Sequence, residues 1–122
     1  CGGCPDSVKT VSGGPMMGFA LPDTDYYTTK TTGALLFLNG ADANTQKPSP
    51  CINCAKSAGV CPINLMPMYI DAYALRGDFA SAKKYGALDC MECGCCAYTC
   101  PAKRPIVQSV RLAKRKIKEL KI

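Results

Sequence analysis

The sequence predicts an α+β protein in two parts, a strand-bearing stretch over residues 1–46 and a helical, cysteine-carrying part over residues 47–122. Three observations predict it. Short β-favouring pieces separated by Gly, Thr and Pro fill the first part. Helical apolar periodicity with capping residues follows Pro62. A cysteine run then occurs twice in the second part with the same internal offsets. A chain of 122 residues has room for one domain or slightly more.

In the first part, Val8 to Val11, Tyr26 to Thr29 and Ala34 to Leu38 are the expected strands. Two or three strands bury too little apolar surface to stand alone, so this part is expected to be the end of a larger β-rich domain. Gly13-Gly14-Pro15-Met16-Met17-Gly18 matches neither a dinucleotide nor a phosphate loop, and is expected to be a tight turn followed by core methionines. The stretch Asn44 to Pro50, with two prolines and no apolar residue, is the expected linker. Met66 to Leu75 carries Tyr69, Ile70 and Tyr73 on one helical face, with Pro67 in the first turn and Gly77 as terminator. Asp78 is placed to cap a short helix from Phe79 to Tyr85, ended by Gly86. Finally, Ile106, Val110, Ala113, Ile117 and Leu120 draw one apolar stripe along a last helix.

Composition narrows the chemistry. The absence of His removes Ser-His-Asp triads, Cys-His dyads and every His-containing zinc site. The longest apolar run, Ala34 to Leu38, is far short of the roughly 18 residues a spanning helix needs. The opening Cys1-Gly-Gly-Cys4 has neither an initiator Met nor a leader-like segment and reads as cut from something longer; as a metal pair among glycines it is incidental. Net charge is +6, yet residues 103–122 carry eight Lys and Arg against Glu119 alone, so the excess sits on the last helix. A basic face of this kind suits an acidic partner or an anionic membrane surface as well as it suits plain solvation.

Cysteine carries the chemistry. Cys90-Met-Glu-Cys93-Gly-Cys95-Cys96-Ala-Tyr-Thr-Cys100-Pro101 is the bacterial ferredoxin-type run, in which three closely spaced thiolates take one 4Fe-4S cluster and the fourth serves the other. A tight turn wraps three corners of a cube, whereas the residue four positions on has already left along a helix. Cys51, Cys54, position 57 and Cys61-Pro62 repeat the same offsets. The cross-over groups Cys90, Cys93, Cys96 and Cys61 at one site, and Cys51, Cys54, position 57 and Cys100 at the other. Position 57 is Ser57, so the first site has three certain thiolates. Cys-x-x-Cys knuckles also hold structural zinc and ten cysteines also pair as disulfides, but the doubled run with its prolines favours iron and sulfide. Cys95, beside Cys96, is expected to point away as a small buried residue. Burial of the clusters is assigned to Ile52, Ile63, Tyr98 and Ile106.

At these residues the chain resembles the C subunit of the Rnf-type ion-translocating electron transport complex, a ferredoxin:NAD oxidoreductase of bacterial membranes. The resemblance runs through Val11-Ser12-Gly13-Gly14-Pro15-Met16-Met17-Gly18, Pro50-Cys51-Ile52-x-Cys54, Cys61-Pro62-x-Asn64-Leu65-x-Pro67, Leu88-Asp89-Cys90 to Cys100-Pro101, Pro105-x-Val107-Gln108 and Arg111-Leu112-Ala113-Lys114. It implies a C-terminal fragment with the end of a β-grasp-like, soluble-ligand-binding domain over 1–46 and an α-helical dicluster 4Fe-4S ferredoxin domain over 47–122. It further implies a single-electron relay through two 4Fe-4S clusters, with no bond-making catalysis in this piece and with FMN and NADH held only by a region upstream. Ser57 departs from the family's cysteine, which leaves the first cluster open to a 3Fe-4S, labile or absent state. Other subunits of the membrane complex are the implied partners, and nucleic acid is not among them. The location implied is peripheral, on the cytoplasmic side of the bacterial cell membrane, with the basic last helix in contact with membrane or partner. A cobalamin reductase of a diol-degrading microcompartment shares the architecture and is the alternative; a non-redox zinc scaffold is the alternative of another class.

Overall fold

The computed structural model describes Cys4, residues 6–43 and residues 46–121. It is a mixed α+β structure that divides into two compact units, Cys1–Gln46 and Lys47–Ile122. The expected linker's Asn44 and Thr45 lie outside the described residues, and Cys1 does too.

The first unit is a small antiparallel sheet of β1 (Lys9–Ser12), β2 (Phe19–Ala20) and β3 (Leu35–Leu38) in the order β2-β1-β3. β1 pairs Val11 with Ala20 on one side and with Leu36 on the other. Main-chain bonds from Val8 to Leu38 and from Gly13 to Ala34 extend the second ladder. Val11 and Ser12 are buried beneath the turn that follows them. That turn is closed by Gly18 N–H on Gly14 O at 2.8 Å, and a side chain at Gly18 would stand 2.5 Å from the same oxygen and 2.7 Å from Val11 Cγ1. Only glycine fits there. Two expectations are corrected. Residues 26–29 form no strand: Thr29 bonds through its own N–H and Oγ1 to the hydroxyls of Thr31 and Thr32, a local pattern that competes with a ladder, and Tyr27 is exposed. Met16 and Met17 are exposed rather than core.

The second unit consists of α1 (Lys56–Gly59), α2 (Pro67–Arg76), α3 (Phe79–Lys84), α4 (Cys95–Thr99) and α5 (Ile106–Leu120). Pro67 opens α2, where its missing N–H costs nothing. Gly77 at φ 77° closes it, with Gly77 N–H on Ala74 O and Asp78 N–H on Tyr73 O. Asp78 then caps α3, its Oδ1 accepting from Ser81 N at 3.0 Å. Gly86 closes α3 in the same way as Gly77 closes α2. α2 and α3 both pack on α5, and α1 packs on α4.

The core of this unit is Ile70 and Ala74 of α2, Ala82 of α3, Ala87, and Ile106, Val107, Val110, Ala113 and Ile117 of α5. The stripe foreseen on α5 is buried except at its end, where Leu120 is 57% exposed because α5 outruns the helices it packs against. Of the four residues expected to cover the cysteines, only Ile106 is buried; Ile52 and Tyr98 lie largely in solvent and Ile63 is 39% exposed. Among the described residues no helix is long and apolar enough to cross a membrane.

Candidate metal centres

The two cysteine runs fold alike, residue by residue. Two positions past the first cysteine of each run, Asn53 and Glu92 have φ of 54° and 58°. Four positions past it, Ala55 and Gly94 are left-handed at 56° and 85° and start α1 and α4. Three positions after Cys61 and Cys100, Asn64 and Lys103 are left-handed again, at 54° and 52°. The long helices start at matched places too, since Pro67 follows Cys51 as Ile106 follows Cys90, by sixteen residues. A left-handed non-glycine costs about 1–2 kcal/mol, so a backbone that repeats several of them is held there by something worth more. Left-handed turns of this kind are able to present main-chain N–H groups to anionic sulfur. Glu92 N–H reaches Cys90 Sγ at 3.4 Å and Leu65 N–H reaches Cys61 Sγ at 3.3 Å.

Between these loops lie two pockets. Cys90, Cys93, Cys96 and Cys61 line one, together with apolar Ile63, Leu65, Ile70, Val107 and Val110. Cys51, Cys54, Ser57 and Cys100 line the other, with Ile52, Ile106, Asp71 and Arg104. Each pocket thus receives one cysteine from the far end of the opposite run. Among the described residues no three Cys, Asp or Glu side chains form a site for a single metal ion; the thiols are spread around the pocket walls. Sulfur donors spread around a space, with N–H groups aimed at two of them, fit a sulfide-bridged iron cluster.

Burial pushes the Cys96 thiol up to about 11, partly offset by the N–H of Ala97. A metal bound there would have to displace a proton. Cys95 lines neither pocket and is half-buried rather than buried; its thiol is raised chiefly by a hydrogen bond with Cys93. Cys4 is exposed.

Side chains whose partners the sequence does not reveal brace the second of these loops. Lys114 Nζ donates to Cys90 O at 2.6 Å and to Glu92 Oε1 at 2.7 Å, and Arg111 Nε donates to Glu92 Oε2 at 2.8 Å. Two cations of the basic helix are therefore a clamp on the Cys90 to Cys93 turn. Burial works to raise the Glu92 carboxyl, but hydrogen bonds from Lys114 and Arg111 and their charges outweigh it and hold it below the ordinary value of 4.5. The clamp's contribution is thus present above that value and is lost as pH falls through the depressed one. Lys114→Gln is expected to weaken metal retention at this site about 10–100-fold, the usual effect of removing a partner that orients a ligand loop. Chelator challenge followed by iron counting checks it, and the other site should be unaffected. No spacing in the sequence marks these pairs, because the helix reaches back 19 to 24 residues to find them.

No protein-family model matches the chain. Curated relatives do. The chain is 46% identical over 118 residues to the C subunit of the Na(+)-translocating ferredoxin:NAD(+) oxidoreductase complex of Acetobacterium woodii, covering 96% of this chain and 27% of that protein. It is 44% identical over 116 residues to the C subunit of the proton-translocating ferredoxin:NAD(+) oxidoreductase complex of Clostridium ljungdahlii, covering 93% and 25%. To the C subunit of the ion-translocating oxidoreductase complex of Rhodobacter capsulatus it is 39% identical over 120 residues, covering 98% and 23%. The chain spans about a quarter of the length of these relatives. Over nearly all of its own length, this chain is a homologue of the C subunits of the ion-translocating oxidoreductase complexes.

Proposed function

We propose that the chain is an iron-sulfur relay within a C subunit of this kind, passing single electrons between a neighbouring redox cofactor and the next subunit. Residues 1–46 are read as the end of a β-grasp-like domain and residues 47–122 as an α-helical dicluster ferredoxin domain. Cys90, Cys93, Cys96 and Cys61 hold one 4Fe-4S cluster; Cys51, Cys54 and Cys100 hold three corners of another, with Ser57 at the register of the fourth. The single observation that carries the reading is the cross-over, in which each pocket draws its last cysteine from the opposite run. The clusters supply a one-electron couple when bound. The chain's own residues set its conditions: Glu92 and Leu65 N–H groups face sulfur, the Lys114–Glu92–Arg111 clamp fixes one turn, and Ile70, Val107 and Val110 exclude water from one pocket.

Iron and acid-labile sulfide analysis of anaerobically prepared protein tests this. About four irons with matching sulfide at each complete site are expected. Stoichiometric zinc without sulfide removes the redox reading and leaves a scaffold.

The partners proposed are the other subunits of the complex, on the cytoplasmic face of the cell membrane. An oxidised all-thiolate cluster contributes about −2 and one held by three thiolates about −1, so together they bring the +6 chain near +3 while the last helix stays basic. Arg115 and Lys118 are exposed on that helix. Arg115→Gln with Lys118→Gln is expected to weaken docking to the neighbouring subunit several-fold at low salt and little at high salt. Affinity measured across a salt series checks it; equal loss at every salt concentration places the effect elsewhere.

A further inference from the structure

Among the matched offsets at which the two halves of the second unit differ, three change the polar chemistry of one pocket. Counted from the first cysteine of each run, Ser57 matches Cys96, Leu65 matches Arg104 and Asp71 matches Val110. Because the runs cross over, Leu65 and Val110 both line the site of Cys90, whereas Arg104 and Asp71 both line the site of Cys51. One site therefore has four thiols and an apolar pair. The other has three thiols, a hydroxyl and an ion pair. Ser57 and Cys96 are equally buried, at 8% and 9% exposure, so the missing thiol does not reflect a corner that has opened to solvent.

Asp71, on α2, is 2% exposed. Its Oδ2 accepts from Arg104 Nε at 2.6 Å. Its Oδ1 is, among the described residues, the one buried side-chain nitrogen or oxygen without a hydrogen-bond partner. A carboxylate oxygen in that state carries an uncompensated desolvation cost, and neighbouring thiolates add like charge. A metal ion among these groups removes both penalties. One oxygen on a metal and the other on a guanidinium is how supporting residues orient a ligating carboxylate. A carboxylate is also anionic at neutral pH, whereas a serine hydroxyl must first lose a tightly held proton.

Resting on the iron-sulfur reading above, we propose that Asp71 Oδ1, and not Ser57, supplies the fourth ligand of the cluster held by Cys51, Cys54 and Cys100. Arg104 is the positioning residue that holds the carboxylate toward the pocket. Ser57 in place of a thiol like Cys96, and Asp71 in place of an apolar residue like Val110, then form one exchange between the halves: a thiolate absent from α1 is replaced by a carboxylate from α2.

The test is iron counting with Mössbauer spectroscopy on anaerobic protein carrying both sites. The unmodified chain is expected to hold about eight irons, one of them with an oxygen-ligated spectrum. Asp71→Asn keeps the side chain's shape and an acceptor for Arg104 but removes the anionic donor, and is expected to drop the count by about one iron and erase that spectrum. Ser57→Ala should leave both unchanged. Ser57→Cys placed in the Asp71→Asn background should restore the lost iron with a thiolate-ligated spectrum, which shows that the fold survived. Loss of the iron in Ser57→Ala but not in Asp71→Asn overturns the proposal in favour of serine. About seven irons in the unmodified chain overturns it as well, as does a first site lost in Asp71→Asn and not rescued by Ser57→Cys, because Asp71 is then only a structural partner of Arg104. Protein with zinc and no sulfide at either site fails the iron-sulfur reading itself and is separable from all of these.

Discussion

Cys93→Ala protein prepared without oxygen is expected to lose the 4Fe-4S cluster of its own site, keep the iron of the other, and unfold more readily. The reason lies in the backbone. The turn holds Glu92, a non-glycine, at a left-handed φ of 58°, and losing the metal removes part of what holds that conformation beside the Lys114 and Arg111 clamp. With Ala at position 93, the remaining sulfurs are Cys90, Cys96 and Cys61, and burial pushes the Cys96 thiol up to about 11, which makes it a reluctant ligand. Because the binding free energy of a structural metal site is folding free energy, losing this site removes stability from the α4 and α5 packing around it. Iron analysis and thermal melts of matched samples check both halves of the expectation. An intact four-iron second site in Cys93→Ala would show that Cys93 is not a ligand.

Ile70→Ala is expected to lower stability by about 2–5 kcal/mol, the range for deleting a fully buried aliphatic side chain. Ile70 is 0% exposed at the centre of the α2 and α5 packing and also lines the pocket of Cys90 and Cys61. The cavity left by the truncation adjoins the proposed cluster, so its loss of oxygen tolerance is expected to accompany the loss of stability. Ile52→Ala, at a side chain 66% exposed, should change stability by no more than about 0.5 kcal/mol. Anaerobic denaturant titrations of the two variants separate these effects, and equal losses would contradict the placement of the core.

Local signals carried much of this fold. Proline and glycine punctuation located α2 and α3, and the cap at Asp78 formed as its side chain required. Where tertiary context decides, the sequence was silent or misleading. Tyr26 to Thr29 has strand-like residues, but its threonines bond to one another, while the short β2 at Phe19–Ala20 pairs only because the Gly18 turn brings it beside β1. The grouping of cysteines could be proposed from spacing because chain reach limits which thiols meet. Glu92, Lys114, Asp71 and Arg104 were not legible, since an ion pair bridging 22 or 33 residues leaves no periodic trace. The basic stripe of α5 illustrates the point: its charges read as one surface, yet Arg111 and Lys114 turn inward to a carboxylate and a carbonyl oxygen.

The most direct measurement is an anaerobic redox titration of the chain followed by EPR, with spin quantitation on full reduction. A relay through two clusters is expected to take up about two electrons per chain in separate one-electron steps, each giving an iron-sulfur signal, with the oxygen-ligated site changed by Asp71→Asn and the four-thiolate site unchanged. A chain that takes up no electrons and develops no iron-sulfur signal across the accessible range contradicts the reading of these cysteines as a relay.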